Sequence, residues 1–338
     1  MIEIEQLTKY YGERKAVGPL SFTIDKGEVV GLLGLNGAGK TTTLRMLSSD
    51  LLPTSGQMRV DGVDLVQAPE KVRQKIGYLP DRPPLYGEMT VREYLRFAAK
   101  LKGTKGHVDK RVDEVIELTD AGEYADARID TLSHGYRQRV GIAQAIVHKP
   151  KLLLLDEPIS GLDPVQIVEM RALIRSLRGE HTTVVSSHIL SEISETCDRV
   201  LVIRDGEIVA AGTEEELRER MGEGDALPLG PTGAKAKRSA LRRVTLVVRL
   251  PEDGDTKALQ GLVEGVEGVA EATQTEALGE GKNTVAVAIV SRTDVREALV
   301  GAVVTAGFGL LALERDSKEL ESVFLELTRK VSDTEENE

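Results

Sequence analysis

The chain has 338 residues, of which 41% are hydrophobic and 29% charged, and its net charge is −11. The length indicates about two globular domains, and the acidic balance argues against a general nucleic-acid coat, which needs a basic face, so no nucleic-acid partner is expected. No apolar run approaches the roughly 18 residues of a membrane span, no secretory signal is visible, and the single cysteine, Cys197, excludes an intrachain disulfide, features that favour the cytosol.

Residues 1–221 alternate short apolar runs with helical patterns, which is typical of an α/β domain around a largely parallel sheet. Continuous apolar runs suit strands that are buried on both faces. Three such runs are Val29–Leu33, Leu152–Leu155 and Thr183–Ser187. Residues 88–148 predict a helical insert in this domain. Residues 200–210 contain Asp205-Gly206 between two apolar runs, which predicts a hairpin with a type I′ turn.

The remaining residues predict a second, smaller domain behind a linker. Residues 222–241 are rich in glycine, proline, alanine and lysine without apolar periodicity, as in a linker. Residues 242–330 follow the order β-α-β-β-α-β and then a last helix that begins near Asp316, which predicts an α+β ferredoxin-like domain. Residues 331–338 are acidic and predict a disordered tail. We see no catalytic constellation in this C-terminal part of the sequence.

A glycine-rich loop follows the first apolar run. Gly34–Thr41 fits the pattern G-x-x-x-x-G-K-[ST], and a helical pattern begins directly after it. Glycines let backbone N–H groups turn toward phosphates, and the helix N-terminus adds partial positive charge. Lys40 supplies a charge to the β- and γ-phosphates, and the Thr41 hydroxyl is placed to ligate Mg²⁺. The alternative, a tight glycine turn with a chance lysine, does not account for the strand before the loop and the helix after it.

Two carboxylates follow the second apolar run. Asp156 and Glu157 come directly after four leucines, and the carboxyl ends of parallel strands face the ligand in an α/β sheet. Asp156 is therefore placed to hold the magnesium shell, and Glu157 is placed to polarise the attacking water. A plain strand-to-loop exit also carries an acid in many proteins, but two acids together with a phosphate loop favour the catalytic interpretation.

The segment Leu132-Ser-His-Gly-Tyr-Arg-Gln138 precedes a long helical pattern. Alone it indicates a helix that begins near Ser133. Beside the two motifs above, it resembles the signature segment of the ABC ATPases, whose usual form is LSGGQ. Over residues 1–220 the chain is similar to the nucleotide-binding subunit of an ABC transporter. The resemblance implies a P-loop NTPase core of the ABC type, with a helical subdomain and an antiparallel β subdomain, ahead of the ferredoxin-like domain.

The resemblance also implies that the chain binds ATP with Mg²⁺ and hydrolyses the ATP. It assigns catalytic roles to Lys40, Glu157 and His188, the last of which follows Ser186-Ser187 at a strand end, as the family's switch histidine does. The implied magnesium ligands are Thr41, Asp156 and Asp81. The implied nucleotide-binding residues are Tyr11, Gly34, Asn36, Gly37, Ala38, Gly39, Lys40, Thr41, Thr42, Ser133, Gly135 and Asp163.

Three of these assignments have an alternative. Tyr11 resembles the aromatic residue that stacks on adenine, but the neighbouring Tyr10 is a rival for that place. Asp163 lies in a segment that resembles the D-loop at the dimer interface, and before Pro164 it is also a sound helix N-cap. Asp81 stands where the family usually has glutamine. A carboxylate there could still meet Mg²⁺ or its water, but it adds negative charge near the phosphates.

Two segments indicate the branch of the family. Residues 78–95 resemble the ABC-2 type export ATPases. Leu132–Arg139 is most similar to the subgroup named after gliding motility. In this segment His134 and Tyr136 stand where the usual motif has glycine and glutamine, while its serine and its second glycine remain. The resemblance therefore implies an exporter, with an import ATPase and a soluble ABC ATPase outside transport as the alternatives.

The resemblance further implies partners. Two ATPase subunits pair head to tail, as a homodimer or as a heterodimer with a related ATPase. Each ATP then lies between the phosphate loop of one subunit and the Ser133–Gly135 segment of the other. A separate integral-membrane ABC-2 permease is implied, with this chain in the cytoplasm and peripheral on the inner face of the cell membrane.

Overall fold

The computed structural model describes residues 2–104, 106–213, 215–217, 242–251, 256–275, 284–291 and 293–315. The described residues divide into two compact units, one up to residue 213 and one from residue 215 to residue 315. The predicted linker (222–241), the predicted last helix from Asp316 and the predicted acidic tail (331–338) lie outside the described residues. Among the described residues, no helix is both long enough and apolar enough to cross a bilayer.

The first unit combines strands and helices along its whole length. In chain order its elements are β1 (Ile2–Tyr11), β2 (Arg14–Ile24), β3 (Val29–Leu33), α1 (Lys40–Leu47), β4 (Ser55–Val60), β5 (Val63–Asp64), α2 (Pro69–Arg73), β6 (Ile76–Leu79), α3 (Val91–Leu101), α4 (Val108–Leu118), α5 (His134–Ile146), β7 (Leu152–Asp156), α6 (Pro164–Ser176), β8 (Thr182–Ser187), α7 (Leu190–Ser194), β9 (Arg199–Arg204) and β10 (Glu207–Gly212).

A six-stranded sheet forms the centre of this unit. Its strands lie in the order β10-β9-β3-β8-β7-β6, and all neighbours pair parallel except β10 with β9. Every residue of β3, β7 and β8 is buried, as expected for strands covered on both faces. The predicted hairpin is confirmed, because Asp205 and Gly206 have φ of 49° and 82°, the positive values that a type I′ turn needs.

A second, antiparallel sheet has the order β2-β1-β4-β5. It shares one hydrophobic core with the central sheet and with α1, since Ile4, Leu20, Leu32, Leu44 and Leu154 all belong to the same buried cluster. This sheet is the antiparallel β subdomain that the sequence predicts. Burial of both sheets against one core fixes the phosphate loop, which leaves the central sheet between β3 and α1.

Residues 88–148 contain α3, α4 and α5 and are helical, as the sequence predicts. α3 begins at a capping box, in which the Glu93 N–H donates to Thr90 Oγ1 at 3.2 Å and the Thr90 N–H donates to Glu93 Oε2 at 2.9 Å. α5 begins directly after Ser133, whose hydroxyl accepts the N–H of Tyr136 at 3.4 Å. The capping serine therefore sets where the signature segment becomes helix.

Between residues 242 and 315, the described part of the second unit contains one sheet and two helices. Its elements are β11 (Arg242–Arg249), α8 (Thr256–Glu264), β12 (Val269–Thr275), β13 (Thr284–Ser291), α9 (Arg296–Thr305) and β14 (Gly309–Arg315). The strands lie in the order β12-β13-β11-β14 and all pair antiparallel. Leu246 and Val287 of the sheet pack with Leu259 of α8 and Leu299 of α9 in a core of their own. This is the ferredoxin-like topology that the sequence predicts.

The parallel pairing of β3, β8 and β7 places their carboxyl ends at one edge of the central sheet. Gly34 follows β3, Glu157 follows β7 and His188 follows β8. In open α/β sheets this edge is where ligands bind. The fold thus brings three separate sequence motifs together, although about 30 to 120 residues separate them along the chain.

Candidate functional site

The phosphate loop presents backbone N–H groups at the start of α1. Gly37 and Gly39 have φ of 83° and 107°, left-handed values that favour glycine. A Cβ atom on Gly39 would also lie 2.9 Å from Val17 Cγ2, closer than packing allows. Gly39 is the N-cap of α1 and, among the described residues, no side chain caps this helix. The first N–H groups of α1 and the helix dipole are therefore available to an anion.

Lys40 is buried at the bottom of the loop, with 5% of its surface exposed. Its Nζ donates to the carbonyl oxygens of Gly34 at 2.8 Å and of Leu35 at 3.3 Å, and lies 3.3 Å from Glu157 Oε1. A buried ammonium is costly unless acceptors surround it. These contacts hold the charge of Lys40 in place beside the loop, where a phosphate group would meet it.

Glu157 has a φ of 48°, which is uncommon for a residue with a side chain and recurs at functional sites. Its backbone N–H donates to Ser186 Oγ at 3.0 Å, and its Oε2 lies 2.9 Å from His188 Nδ1. Its other carboxylate oxygen contacts Lys40. The structure therefore brings the three residues that the sequence assigns to catalysis into direct contact through one carboxylate.

Asp156 is fully buried at the end of β7. Ser186 Oγ donates to its Oδ1 at 2.7 Å, whereas its Oδ2 is buried without a hydrogen-bond partner among the described residues. Burial raises the pKa of the Asp156 carboxyl, and the Ser186 and Thr41 hydroxyls oppose that shift. A buried, unpartnered carboxylate oxygen beside a threonine hydroxyl is a donor set that suits a hard cation such as Mg²⁺.

Lys40, Glu157 and His188 line a cavity of 820 Å³, whereas Asp156 lines a neighbouring cavity of 710 Å³ that shares Thr41 and Asp81 with the first. The first cavity contains ten of the residues that the sequence predicts for the site, namely Tyr11, Asn36, Gly37, Gly39, Lys40, Thr41, Thr42, Asp81, Glu157 and His188. Tyr11 and not Tyr10 is in this lining, which favours Tyr11 as the residue that meets the base. Gly34 and Ala38 do not line this cavity; the Gly34 carbonyl oxygen accepts the bond from Lys40, and Ala38 is buried in the core.

Ser133, Gly135 and Asp163 are not part of this cavity in the described structure. Ser133 is exposed at the start of α5, and a Cβ on the buried Gly135 would lie 2.5 Å from Gln166 Oε1. Asp163 caps α6, because its Oδ1 accepts the N–H groups of Val165 at 3.0 Å and Gln166 at 2.9 Å. The capping interpretation of Asp163 is confirmed. A contact of these three residues with nucleotide stays a prediction.

Sequence reasoning missed the groups that position the site. Ser186 bonds both Asp156 and Glu157, although Ser186-Ser187 was visible as the segment before His188. Ser187 Oγ donates to the buried Glu192 at 2.5 Å and accepts the N–H of Ile189 at 3.0 Å, which fixes the backbone on both sides of the histidine. The sequence signal that could have indicated these contacts is a pair of small hydroxyl side chains at the end of a predicted strand.

Known proteins give an independent view of the chain. A family model described as ABC transporter matches residues 17–160. The chain is 41% identical over 221 residues to the uncharacterized ABC transporter ATP-binding protein YxlF of Bacillus subtilis, a match that covers 65% of this chain and 73% of the relative. It is 40% identical over 222 residues to the bacitracin transport ATP-binding protein BcrA of Bacillus licheniformis, with coverage of 65% and 72%. It is 39% identical over 229 residues to the linearmycin resistance ATP-binding protein LnrL of Bacillus subtilis, with coverage of 67% and 73%.

Solved structures of similar proteins share the fold of the first unit. The ATP-binding subunit of an ABC transporter superposes with a TM-score of 0.60 at 30% identity, covering 66% of this chain and 93% of that chain. A dimeric, post-hydrolysis ATP-binding cassette bound to ADP and Pi superposes with a TM-score of 0.57 at 26% identity, covering 63% of this chain and 98% of that chain. The cassette fold, the nucleotide and the dimer thus occur together in relatives.

Proposed function

The chain belongs to the ATP-binding subunits of ABC transporters and is an ATPase, and from that premise we propose that it hydrolyses ATP between two subunits, with Mg²⁺, to drive export through a separate permease. The observation that carries this proposal is the convergence of Lys40, Glu157 and His188 on one cavity. Phosphoryl transfer needs positioning and charge neutralisation more than covalent chemistry by the protein. The three residues supply both.

Each of the three residues has a separate task. Lys40 Nζ donates to carbonyl oxygens and to Glu157, and phosphate oxygens are stronger acceptors of such charge-assisted bonds. When the ATP phosphates accept the hydrogen bonds of Lys40 Nζ, the Glu157 carboxylate is free to polarise the attacking water and to accept a proton from it. The bond of 2.9 Å between Glu157 Oε2 and His188 Nδ1 fixes the direction of that carboxylate. The other ring nitrogen of His188, Nε2, is then the one that meets the γ-phosphate.

The residues present fit a magnesium ion. Asp156 Oδ2 is buried and unpartnered among the described residues, and the Thr41 hydroxyl acts on the same carboxylate. These two residues would hold the ion, with Asp81 on the cavity lining as a further oxygen ligand. When bound, Mg²⁺ neutralises charge that develops on the phosphates.

The second half of the site comes from another copy in this proposal. Ser133 lies exposed at the N-terminus of α5, a 13-residue helix whose first N–H groups can donate to phosphate oxygens. It does not reach the cavity of its own chain. Head-to-tail pairing of two subunits, as a homodimer or with a related ATPase, sets this helix start against the phosphate loop of the partner. A symmetric pair of this kind closes on itself and completes two sites.

Ser133→Asp is expected to prevent ATP-dependent dimerisation. Aspartate caps a helix as well as serine does, so α5 keeps its start, while the added carboxylate repels the phosphates of the partner's ATP. The ATP affinity of the monomer should stay within about twofold, because Ser133 is not in the cavity of its own chain. Equilibrium ATP titration and light scattering measure the two quantities.

The matched control is Ser133→Asn, which also caps the helix but adds no charge. It should retain ATP-dependent dimers. A Ser133→Asp variant that dimerises with ATP as the wild type does would remove the signature segment from the nucleotide site.

Export is the direction that we propose for transport. The names of two relatives refer to bacitracin transport and to linearmycin resistance, and resistance to a drug is served by outward transport. The neighbouring cavity of 710 Å³, which contains the proposed magnesium ligands Thr41, Asp81 and Asp156, is also lined by Arg82 and Lys102. The segment after Asp81 resembles the surface on which such subunits engage a cytoplasmic helix of an ABC-2 permease. Co-purification of a polytopic membrane protein with the tagged chain tests this, and Arg82→Glu should weaken it.

Removal of residues 242–338 is expected to leave basal ATPase activity within about twofold of the full chain, because the first unit has its own core and contains every residue of the cavity. In this proposal residues 1–221 form the nucleotide-binding domain and residues 242–330 an accessory domain. Steady-state ATPase assays on the two proteins compare the rates. Complete loss of activity in a truncated chain that still shows a cooperative thermal transition would overturn this division.

A further inference from the structure

A hydrogen bond joins the start of α5 to the turn that follows β7. His134 is the first residue of α5, and its Nε2 lies 3.0 Å from the carbonyl oxygen of Ser160. Because a carbonyl oxygen only accepts, the ring must carry a proton on Nε2. The two residues are 26 positions apart, so the contact is a tertiary one between two separate elements.

The same turn is tied to Glu157. The backbone N–H of Ser160 donates to the carbonyl oxygen of Glu157 at 3.2 Å, and Ser160 also lines the 820 Å³ cavity. Gly161 has a φ of 74°, a left-handed value that favours glycine, and it lies beside the His134 ring, since a Cβ there would be in van der Waals contact with Nε2 at 3.4 Å. A single residue, Ser160, therefore connects the His134 ring to the backbone of Glu157.

His134 stands where the usual signature motif of the family has glycine, which has no side chain to make this bond. Its neighbours Ser133 and Gly135 belong to the segment that, in the proposed function, completes the ATP site of the partner. The residues on either side of His134 thus belong to the ATP site of the partner. Its ring reaches a turn that belongs to the site of its own chain.

We propose that His134 is a positioning residue that links the two ATP sites of the paired subunits. Its hydrogen bond to Ser160 holds the turn of residues 157–161, which carries Glu157, against the helix start that covers the partner's ATP. Closure of the partner's site around ATP then fixes the turn that aligns the attacking water in the other site. This inference rests on the proposed two-subunit site.

Three substitutions separate the hydrogen bond from the bulk of the ring. His134→Phe keeps an aromatic ring without a donor, and His134→Leu is a second donor-free variant. His134→Gln places an amide nitrogen at the same number of bonds from Cβ as Nε2, so it can restore the bond. The side chain of His134 is exposed, so all three proteins should unfold at nearly the wild-type temperature.

Turnover at saturating ATP is expected to fall about threefold to tenfold in the Phe and Leu variants, the range that one neutral hydrogen bond contributes. Their ATP affinity, measured by equilibrium titration of the full chain, should not change, because Lys40 and the loop are untouched. His134→Gln should restore turnover. A role in packing alone would instead lower the unfolding temperature and would not be rescued by glutamine.

Mixed pairs test the link between the sites. A chain with Glu157→Gln and a chain with Ser133→Asp together form one complete site, with the phosphate loop from the second chain and Ser133 from the first. His134→Phe should lower turnover of that site when it is placed on either chain. If His134→Phe lowers turnover only when it is on one of the two chains, His134 does not link the two ATP sites.

The other outcomes are equally decisive. Wild-type turnover in both donor-free variants, or a Gln variant as slow as the Phe variant, overturns the role of His134. If the wild-type chain does not hydrolyse ATP and the Glu157→Gln variant does not form ATP-dependent pairs, the proposed two-subunit site is wrong, and the role of His134 is not what has failed.

Discussion

Lys40→Ala is expected to weaken ATP binding strongly and to reduce turnover still further. The buried ammonium is the one charge that the loop sets beside the phosphates, and it is held by two carbonyl oxygens and by Glu157. Hydrogen bonds to charged groups contribute about 1.5–3 kcal/mol, which lowers the ATP affinity by roughly 10- to 100-fold on removal. Loss of charge stabilisation in the transition state should reduce turnover by a further factor on the order of 100.

Titration with a fluorescent ATP analogue and a steady-state ATPase assay measure both effects of Lys40→Ala. Lys26→Ala is the matched control, because Lys26 is an exposed lysine before β3 that does not line the cavity. It should bind and hydrolyse ATP normally. Undiminished activity in Lys40→Ala would show that Gly34–Thr41 is not the phosphate loop.

Glu157→Gln should bind ATP but hydrolyse it about 10²- to 10⁴-fold more slowly, because the amide keeps the shape of the side chain and cannot take a proton from water. The amide oxygen can still accept a bond from His188, so the position of the ring is retained. The substitution also removes a negative charge that faces the phosphates, which favours bound ATP.

The Glu157→Gln variant should therefore accumulate as a dimer with ATP, at twice the 36.7 kDa mass of the chain by light scattering. With ADP it should remain a monomer. Glu180→Gln, at an exposed glutamate in the turn before β8, is the control and should turn over ATP as the wild type does. Wild-type turnover in Glu157→Gln would remove Glu157 from the role of polarising water.

The sequence predicts those parts of the site that lie within one local pattern. Gly34–Thr41 is a contiguous motif whose glycines and lysine have their roles wherever a strand precedes and a helix follows. The turn at Asp205-Gly206 and the caps at Ser133 and Asp163 are likewise local, because capping and turn geometry involve residues within four positions of each other. The ferredoxin-like unit was predictable from the order of its elements.

Contacts between separate motifs could not be derived in this way. The Lys40–Glu157 pair and the Glu157–His188 bond exist because β3 and β7 both lie beside β8, an order that the alternation of strands and helices does not specify. The bonds of Ser186 to two carboxylates and of His134 to Ser160 depend on the same packing. The hydrogen bonds join residues 26 to 31 positions apart and the Lys40–Glu157 pair joins residues 117 positions apart, all beyond the reach of helix or strand periodicity.

Activity that is restored by mixing two inactive variants tests most directly whether each ATP site needs two subunits. Glu157→Gln and Ser133→Asp each remove a different half of every site and should be inactive alone. Mixed before ATP is added, they should recover ATP hydrolysis that neither shows alone, because each mixed pair holds one complete site, whereas pairs of Glu157→Gln chains stay inactive and Ser133→Asp chains do not pair with each other. A mixture as inactive as its components would contradict the account.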